Sequence, residues 1–398
     1  MKSYVSVSKQ IDYPILAAEE LLNDIKAHLP LKKNTVGILF CYSDMDIPEL
    51  VAELKAKAGF EIIGCTGIAN MDEEEGFHAM AVTLTVLTAD DCEFALAASE
   101  PITPANVNTE IKNTYNKAVA KLSAKPELLF ALPPYILEIM LDAYSMGFNQ
   151  TAPGIPVVGG LPSYSATGDE NLTILNGNAW TDRLVLLAIS GNIRPVFSVQ
   201  NVSSEDASRK REVTRSKDNI VYEVGGQRFT DYLKEIGLPV EKLTHGNNTI
   251  TFVSNPLLLE NKPENGGVEY SFVRTLHEID LEEGSGTAIG QIPEKAVLSV
   301  CTLQKDDIEK AAVRGMRDLK AEMDKVSDYQ FSTILAVSCI GRHLLMLPNN
   351  DAEVQKLLSE MPENITLSGF YSYGELGPQG VAQRENFAHN ESLVLCAF

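Results

Sequence analysis

An internal duplication limits this chain's possible folds more than any other feature, because a repeated order of elements dictates architecture before any single residue does. The middle of the sequence reads as the strand "CEFALAAS", an amphipathic helix from about Ala105 to Leu122, and the strand "ELLFALPPY". A helix "ILEIMLDAYSMGF" and the strands "IPVVGGLPSYS", "NLTILNG" and "RLVLLAIS" follow. Roughly 210 residues later the same order returns: "AVLSVCTL", a helix from about Asp306 to Met323, "STILAVSC", a helix "AEVQKLLSEM", then "ITLSGFYSYGE", "GVAQRENFA" and "SLVLCAF". A shorter echo opens the chain with "TVGILFCYS", a helix from about Ile47 to Ala58, "FEIIGCTGI" and "FHAMAVTLTVL".

In each unit a strand feeds a helix that returns a parallel strand, the pattern of a right-handed βαβ crossover, and hairpin strands then complete a mixed sheet. The apolar strands lack strict alternation, so both faces of each sheet should be covered. The fold class expected is α/β, with mixed sheets built from repeated β-α-β plus hairpin units in two pseudo-repeated domains, residues 1–205 and 206–398. The boundary is placed in the polar stretch between Asn201 and Arg215. Beyond it, Gly225 and Gly226 mark a hairpin turn and a helix is expected from near Thr230.

At 398 residues, 44% hydrophobic, the chain has room for a sizeable interior. Its formal charge of −21 repels phosphate backbones and anionic lipid, which argues against nucleic acid and membrane surfaces as partners. No apolar run reaches the length of a membrane helix, and "MKSYVSVSKQIDYPILAAEELL" lacks the basic and apolar regions of a signal peptide, so a cytoplasmic location is expected. Cys41, Cys65, Cys92, Cys301, Cys339 and Cys396 show no metal-ligand spacing. "NMDEEEGFH" lacks the spacing of a calcium loop and reads as a solvated turn. No phosphate loop, nucleophile elbow or zinc-protease motif occurs, so no metal or cofactor is expected.

The returning strands of all three units end in glycine and small or hydroxylated residues: Gly64, Cys65 and Thr66; Gly159 and Gly160; and "GFYSYGELGP" from Gly369. Carboxyl ends of parallel strands are where α/β folds gather ligands, and glycine lets backbone N–H groups approach a bound group. Tight strand exits alone would also account for them. "SCIGRH" places Cys339 and Arg342 at a matching exit. Arg342 is suited to a carboxylate or phosphate, or to a salt bridge with Glu375 or another acid. Cys339 reads either as a buried thiol or as a nucleophile. Tyr371 and Tyr373, two apart, share a face of any extended segment; Glu375 suits an amine; His389 and Asn390 open the last strand.

With those residues in hand, the sequence resembles the FIST family of sensory domains. The resemblance rests on Cys339, Gly341 and Arg342, on Gly369 through Pro378, on His389 with Asn390, and on Gly64, Cys65, Thr66 and the step at Gly159 and Gly160. His343 stands where a small residue is more typical. The resemblance implies an input module for signal transduction that binds a small ligand such as an amino acid; its output is expected to pass through a separate signalling protein or a conformational change. On that basis the ligand-binding candidates are Gly64, Cys65, Thr66, Gly159, Gly160, Cys339, Arg342, Tyr371, Tyr373, Glu375 and Asn390. The rival reading is a hydrolase or transferase with Cys339 as nucleophile and His389 as base; a third is an adaptor that grips a peptide terminus.

Overall fold

A computed structural model describes residues 1–164, 170–201, 209–243, 249–261, 270–379 and 385–398. The first unit runs β1 (Lys2–Ser8), α1 (Pro14–His28), β2 (Asn34–Tyr42), α2 (Ile47–Lys57), β3 (Glu61–Gly67), a hairpin of β4 (Asn70–Asp72) and β5 (Phe77–His78), and β6 (Val82–Ala89). The second runs β7 (Cys92–Ala98), α3 (Val107–Val119), β8 (Leu128–Leu132), α4 (Leu141–Thr151), β9 (Val157–Gly160), a hairpin of β10 (Thr173–Leu175) and β11 (Asn178–Trp180), and β12 (Val185–Gly191).

The third unit begins with β13 (Val196–Asn201) and is then interrupted by an insertion. The insertion holds β14 (Arg211–Lys217), β15 (Ile220–Val224), β16 (Gln227–Arg228), α5 (Phe229–Glu235), α6 (Thr249–Ser254), β17 (Leu257–Asn261), β18 (Tyr270–Arg274), β19 (Leu276–Asp280), β20 (Ser285–Ala288) and β21 (Val297–Val300). The unit resumes with α7 (Lys305–Asp324), β22 (Thr333–Cys339), α8 (Ile340–Met346), α9 (Ala352–Glu360), β23 (Thr366–Ser372), a hairpin of β24 (Glu375–Pro378) and β25 (Asn386–His389), and β26 (Ser392–Ala397).

Local chemistry explains the helices. Asp46 caps α2 by accepting from the Glu49 N–H at 3.0 Å, with Pro48 in the first turn. Gln304 and Asp307 form a reciprocal capping box on α7. The buried stripe of Ile308, Ala311, Ala312, Met316 and Leu319 then fixes the face that α7 presents to its sheet. The apolar run from Ile136 does not start α4. After Pro133 and Pro134 the chain stays irregular to Met140, leaving Leu137 75% exposed.

Among the described residues, three six-stranded sheets share one order: first strand, last strand, middle strand, returning strand, then a hairpin from another unit. The exchange is cyclic. Hairpin β10–β11 of the second unit completes the first sheet, β24–β25 of the third completes the second, and β4–β5 of the first completes the third. The expected mixed sheets of β-α-β and hairpin units are present, but each hairpin serves a neighbour's sheet. The opening echo is a full unit once β1 and α1 are counted. "AVLSVCTL" does not open the second repeat: β21 pairs with β14 and β17 in the inserted sheet, and β13 takes the place opposite β26. Residues 202–208 of the stretch chosen for the domain boundary lie outside the described residues.

The inner faces of the three sheets enclose one apolar core, where Phe40 of the first unit stacks on Phe370 of the third at 4.6 Å and meets Phe130 of the second at 6.4 Å. Helices cover the outer faces through separate cores. Gly64, Gly159 and Gly369 occupy one register in the three sheets, opposite Leu39, Ala131 and Ala336 of the parallel neighbour. A Cβ at any of the three would collide with that neighbour's carbonyl oxygen. These glycines therefore serve the close approach of two strands clamped further by the donated hairpin. The "NMDEEEGFH" loop is not a solvated turn throughout: buried Asp72 accepts from the N–H groups of Glu74, Glu75 and Gly76 and pairs with buried His78 at 2.8 Å.

Candidate functional site

The cyclic exchange brings the three strand exits to one end of the molecule and laces them together. At the end of β9, Ser163 donates its N–H to the Thr66 carbonyl (3.1 Å) and its hydroxyl to the Tyr371 carbonyl (2.5 Å), while its Oγ accepts from the Ile68 N–H. The Ser372 hydroxyl reaches the Leu161 and Gly374 carbonyls at 3.0 and 2.7 Å. Gly160 pairs in register with Glu375, which pairs across its hairpin with His389.

Beside these exits lies a buried polar cluster. Arg342 and Glu375 are 0% exposed, Glu391 1% and Cys339 6%. Cys339 caps α8, and Arg342 on that helix donates from Nε (2.7 Å) and Nη2 (2.5 Å) to Glu353 Oε1. Glu353 Oε2 accepts from Ser338 and Tyr371, both at 3.0 Å, so its carboxylate is fully engaged. Gly341 sits against Glu391, whose carboxylate a Cβ there would strike. Glu391 Oε1 accepts from Thr275 at 2.9 Å, and Glu375 Oε2 from the Ser392 N–H at 3.3 Å.

Among the described residues, Arg342 Nη1, Glu375 Oε1, Glu391 Oε2 and Asn390 Oδ1 are buried without a hydrogen bond of good geometry, and the neighbouring Cys339 thiol is the side chain that bears on Glu375. Uncompensated polar atoms are rare in folded interiors because each costs on the order of 1–3 kcal/mol. Burial, then the neighbouring Glu391 charge, pushes the Glu375 carboxyl well above its ordinary range. Burial also raises Glu391 to about 7.

The structure thus places Gly160, Cys339, Arg342, Glu375 and Asn390 at one end, close to Thr66, while the other candidates fall elsewhere. The Cys65 side chain belongs to the central apolar core, and Gly64 and Gly159 are packed against neighbouring carbonyls. Tyr371 and Tyr373 do not share a face, because β23 ends at Ser372 and the chain bends. Tyr371 turns toward Glu353, Phe77 and His343. Tyr373 instead packs on Tyr135 and Tyr164, with ring centroids at 5.4 and 5.6 Å. Arg342 pairs with Glu353 rather than Glu375, leaving one nitrogen for anything else.

The cysteine-nucleophile geometry gains no support. Burial and the charges of Glu375 and Glu391 push the Cys339 thiol well up, the reverse of activation. His389 donates from Nε2 to the Gly377 carbonyl at 3.2 Å, and burial lowers its pKa to about 4. Sequence reasoning missed Glu353, Glu391, Ser338 and Thr275. A glutamate on the apolar face of "AEVQKLLSE", beside Val354 and Leu357, was the signal that could have found the first, and adjacency to His389 and Asn390 the second. No group of three histidine, cysteine or acidic side chains able to hold a metal occurs among the described residues. Nor is any described helix long and apolar enough to cross a membrane.

Comparison with known proteins agrees with the motifs. The FIST N domain profile matches residues 35–227 and the FIST C domain profile residues 229–378. No curated protein matches the sequence. Two solved structures of cyanuric acid hydrolases align at low similarity. One, described in terms of evolutionary innovation by structural concatenation, is 10% identical with a TM-score of 0.30, covering 76% of this chain and 100% of that one. The other, from A. caulinodans, is 8% identical with a TM-score of 0.35, covering 99% and 98%. The chain belongs to the FIST family, whose domains are sensory modules of signal transduction.

Proposed function

We propose that this FIST-family chain senses a small polar metabolite, an amino acid, held in the buried cluster at the strand exits. The observation that carries the reading is that Arg342 Nη1, Glu375 Oε1, Glu391 Oε2 and Asn390 Oδ1, on buried residues, have no hydrogen bond among the described residues. A zwitterion answers both signs of that inventory. Its carboxylate accepts from Arg342 Nη1, and its ammonium donates to Glu375. Glu353 holds the guanidinium in place, so recognition uses one nitrogen in a fixed direction. Gly160 and Asn390 supply remaining polar groups, Thr66 and Cys339 border the site, and Tyr371 orients Glu353 from behind. Tyr373 and its two ring partners lie on the adjoining surface.

The cluster is covered by α8 and by the insertion, since Thr275 reaches Glu391 and Arg274 pairs with Asp142 of α4 at 2.8 Å. A ligand that draws on Glu391 therefore pulls on the insertion, which gives a route for output to a separate cytoplasmic signalling partner. Calorimetric titration of the whole chain with the amino acids tests the reading. Binding that Glu375→Gln abolishes, in a variant that melts as the parent does, supports it. Absence of heat with every amino acid overturns it, because ordered water would then be what satisfies the cluster.

A further inference from the structure

The charge balance of the cluster narrows the ligand class beyond amino acids in general. Five elements aim ionisable groups at it: Cys339 from the end of β22, Arg342 from α8, Glu353 from α9, Glu375 from β24, and Glu391 from the turn before β26. His389 of β25 and Arg274 of β18 stand on its insertion side, the latter occupied by Asp142 and the Ala388 carbonyl. Glu353 already takes two of the donors of Arg342, so that cation is neutralised within the protein. What remains is lopsided: once the glutamates are ionised, four acceptors, Glu375 Oε1, Glu391 Oε2, Asn390 Oδ1 and His389 Nδ1, stand against one donor, Arg342 Nη1.

Resting on the reading above, we infer that the site takes a dibasic amino acid, one whose side chain carries a second cation and whose net charge is positive. Its carboxylate meets Arg342 Nη1, its α-ammonium one glutamate, and its side-chain cation the other. A neutral amino acid engages one of the two glutamates and leaves the other holding its proton, gaining no second ion pair, and an acidic one adds a third carboxylate to the pair. In the free protein, protons take the place of the ligand's cations, which agrees with the raised Glu375 and Glu391. Binding near neutral pH therefore expels protons as ammonium groups replace them.

The test is calorimetry of the whole chain at pH 6.5 with L-lysine, L-leucine and L-glutamate, repeated in two buffers of different ionisation enthalpy. Expected are lysine binding at least about tenfold tighter than leucine, no heat with glutamate, and a buffer-dependent heat that reports proton release. Glu391→Gln, with its fold checked by thermal melting, should reduce lysine to the affinity of leucine. Leucine or glutamate binding as tightly as lysine, or a lysine preference untouched by Glu391→Gln, overturns this inference and leaves the amino-acid reading standing. Silence with all three amino acids, and with the remainder of the set, sinks both.

Discussion

Glu391 shows how one side chain ties stability to pH. Its folded pKa of about 7 lies above the ordinary 4.5, so the folded protein holds a proton that the unfolded chain releases between those values. Stability is then lost as pH rises through that window. At about 1.4 kcal/mol per unit, replacing the ionisable group should recover roughly 3 kcal/mol above pH 7. Urea denaturation of Glu391→Gln should show a gain at pH 8 and none at pH 4; equal gains at both would contradict the assignment. His389 acts with the opposite sign. Its folded pKa of about 4 lies below the ordinary 6.5, so stability falls as pH drops from 6.5 toward 4, and His389→Gln should flatten that acid limb. Cys339 adds a chemical test. With its thiol pushed up by burial, iodoacetamide should modify it no faster than Cys92 at pH 7, and selective labelling in acid would refute the neutral thiol.

Among the elements, β23 and α8 have the least tolerance. Gly369→Ala puts a Cβ into the Ala336 carbonyl on one side and close to Met71 on the other, so two strands must separate. A loss of at least about 1–3 kcal/mol in denaturant midpoint stability is expected. No measurable loss would mean that β22 and β23 are not held at this spacing. On α8, Arg342→Met removes the partner of a completely buried Glu353. Leaving that charge uncompensated should cost about 3–5 kcal/mol. The double change Arg342→Met with Glu353→Leu should restore part of it, measured by the same melts.

For the whole molecule, cyclic hairpin exchange makes each sheet depend on a segment far away in sequence. Asn386 illustrates the dependence. It accepts from the Val157 N–H at 2.7 Å and donates to the Ile155 carbonyl at 3.0 Å, binding the third unit's hairpin to the second unit's returning strand. Asn386→Ala should therefore lower amide hydrogen-exchange protection across β9, more than 200 residues away, together with β24. Protection lost in β24 alone would show that the sheets open independently. Because no unit owns a complete sheet, thermal unfolding of the three-unit body should follow a single transition.

The type and order of most elements were legible in the residues alone, since periodicity and caps act over a few residues: α2 and α7 fall where their apolar faces and capping groups require, and α9 where its apolar face does. The strand exits were legible too, because glycine beside small polar residues recurs at three like positions, each at the end of a returning strand. Which sheet each hairpin joins depends on tertiary packing; a hairpin's own residues encode pairing within it and not the neighbour whose edge it covers. The same holds for "AVLSVCTL", whose apolar pattern fits either sheet until its partners are known. Glu353 and Glu391 entered the site on these terms too, through packing that brings a helix face and a turn against Arg342 and Gly341. Local sequence limits what a side chain can do chemically, but burial and partners, which depend on chain segments far apart, decide what it does.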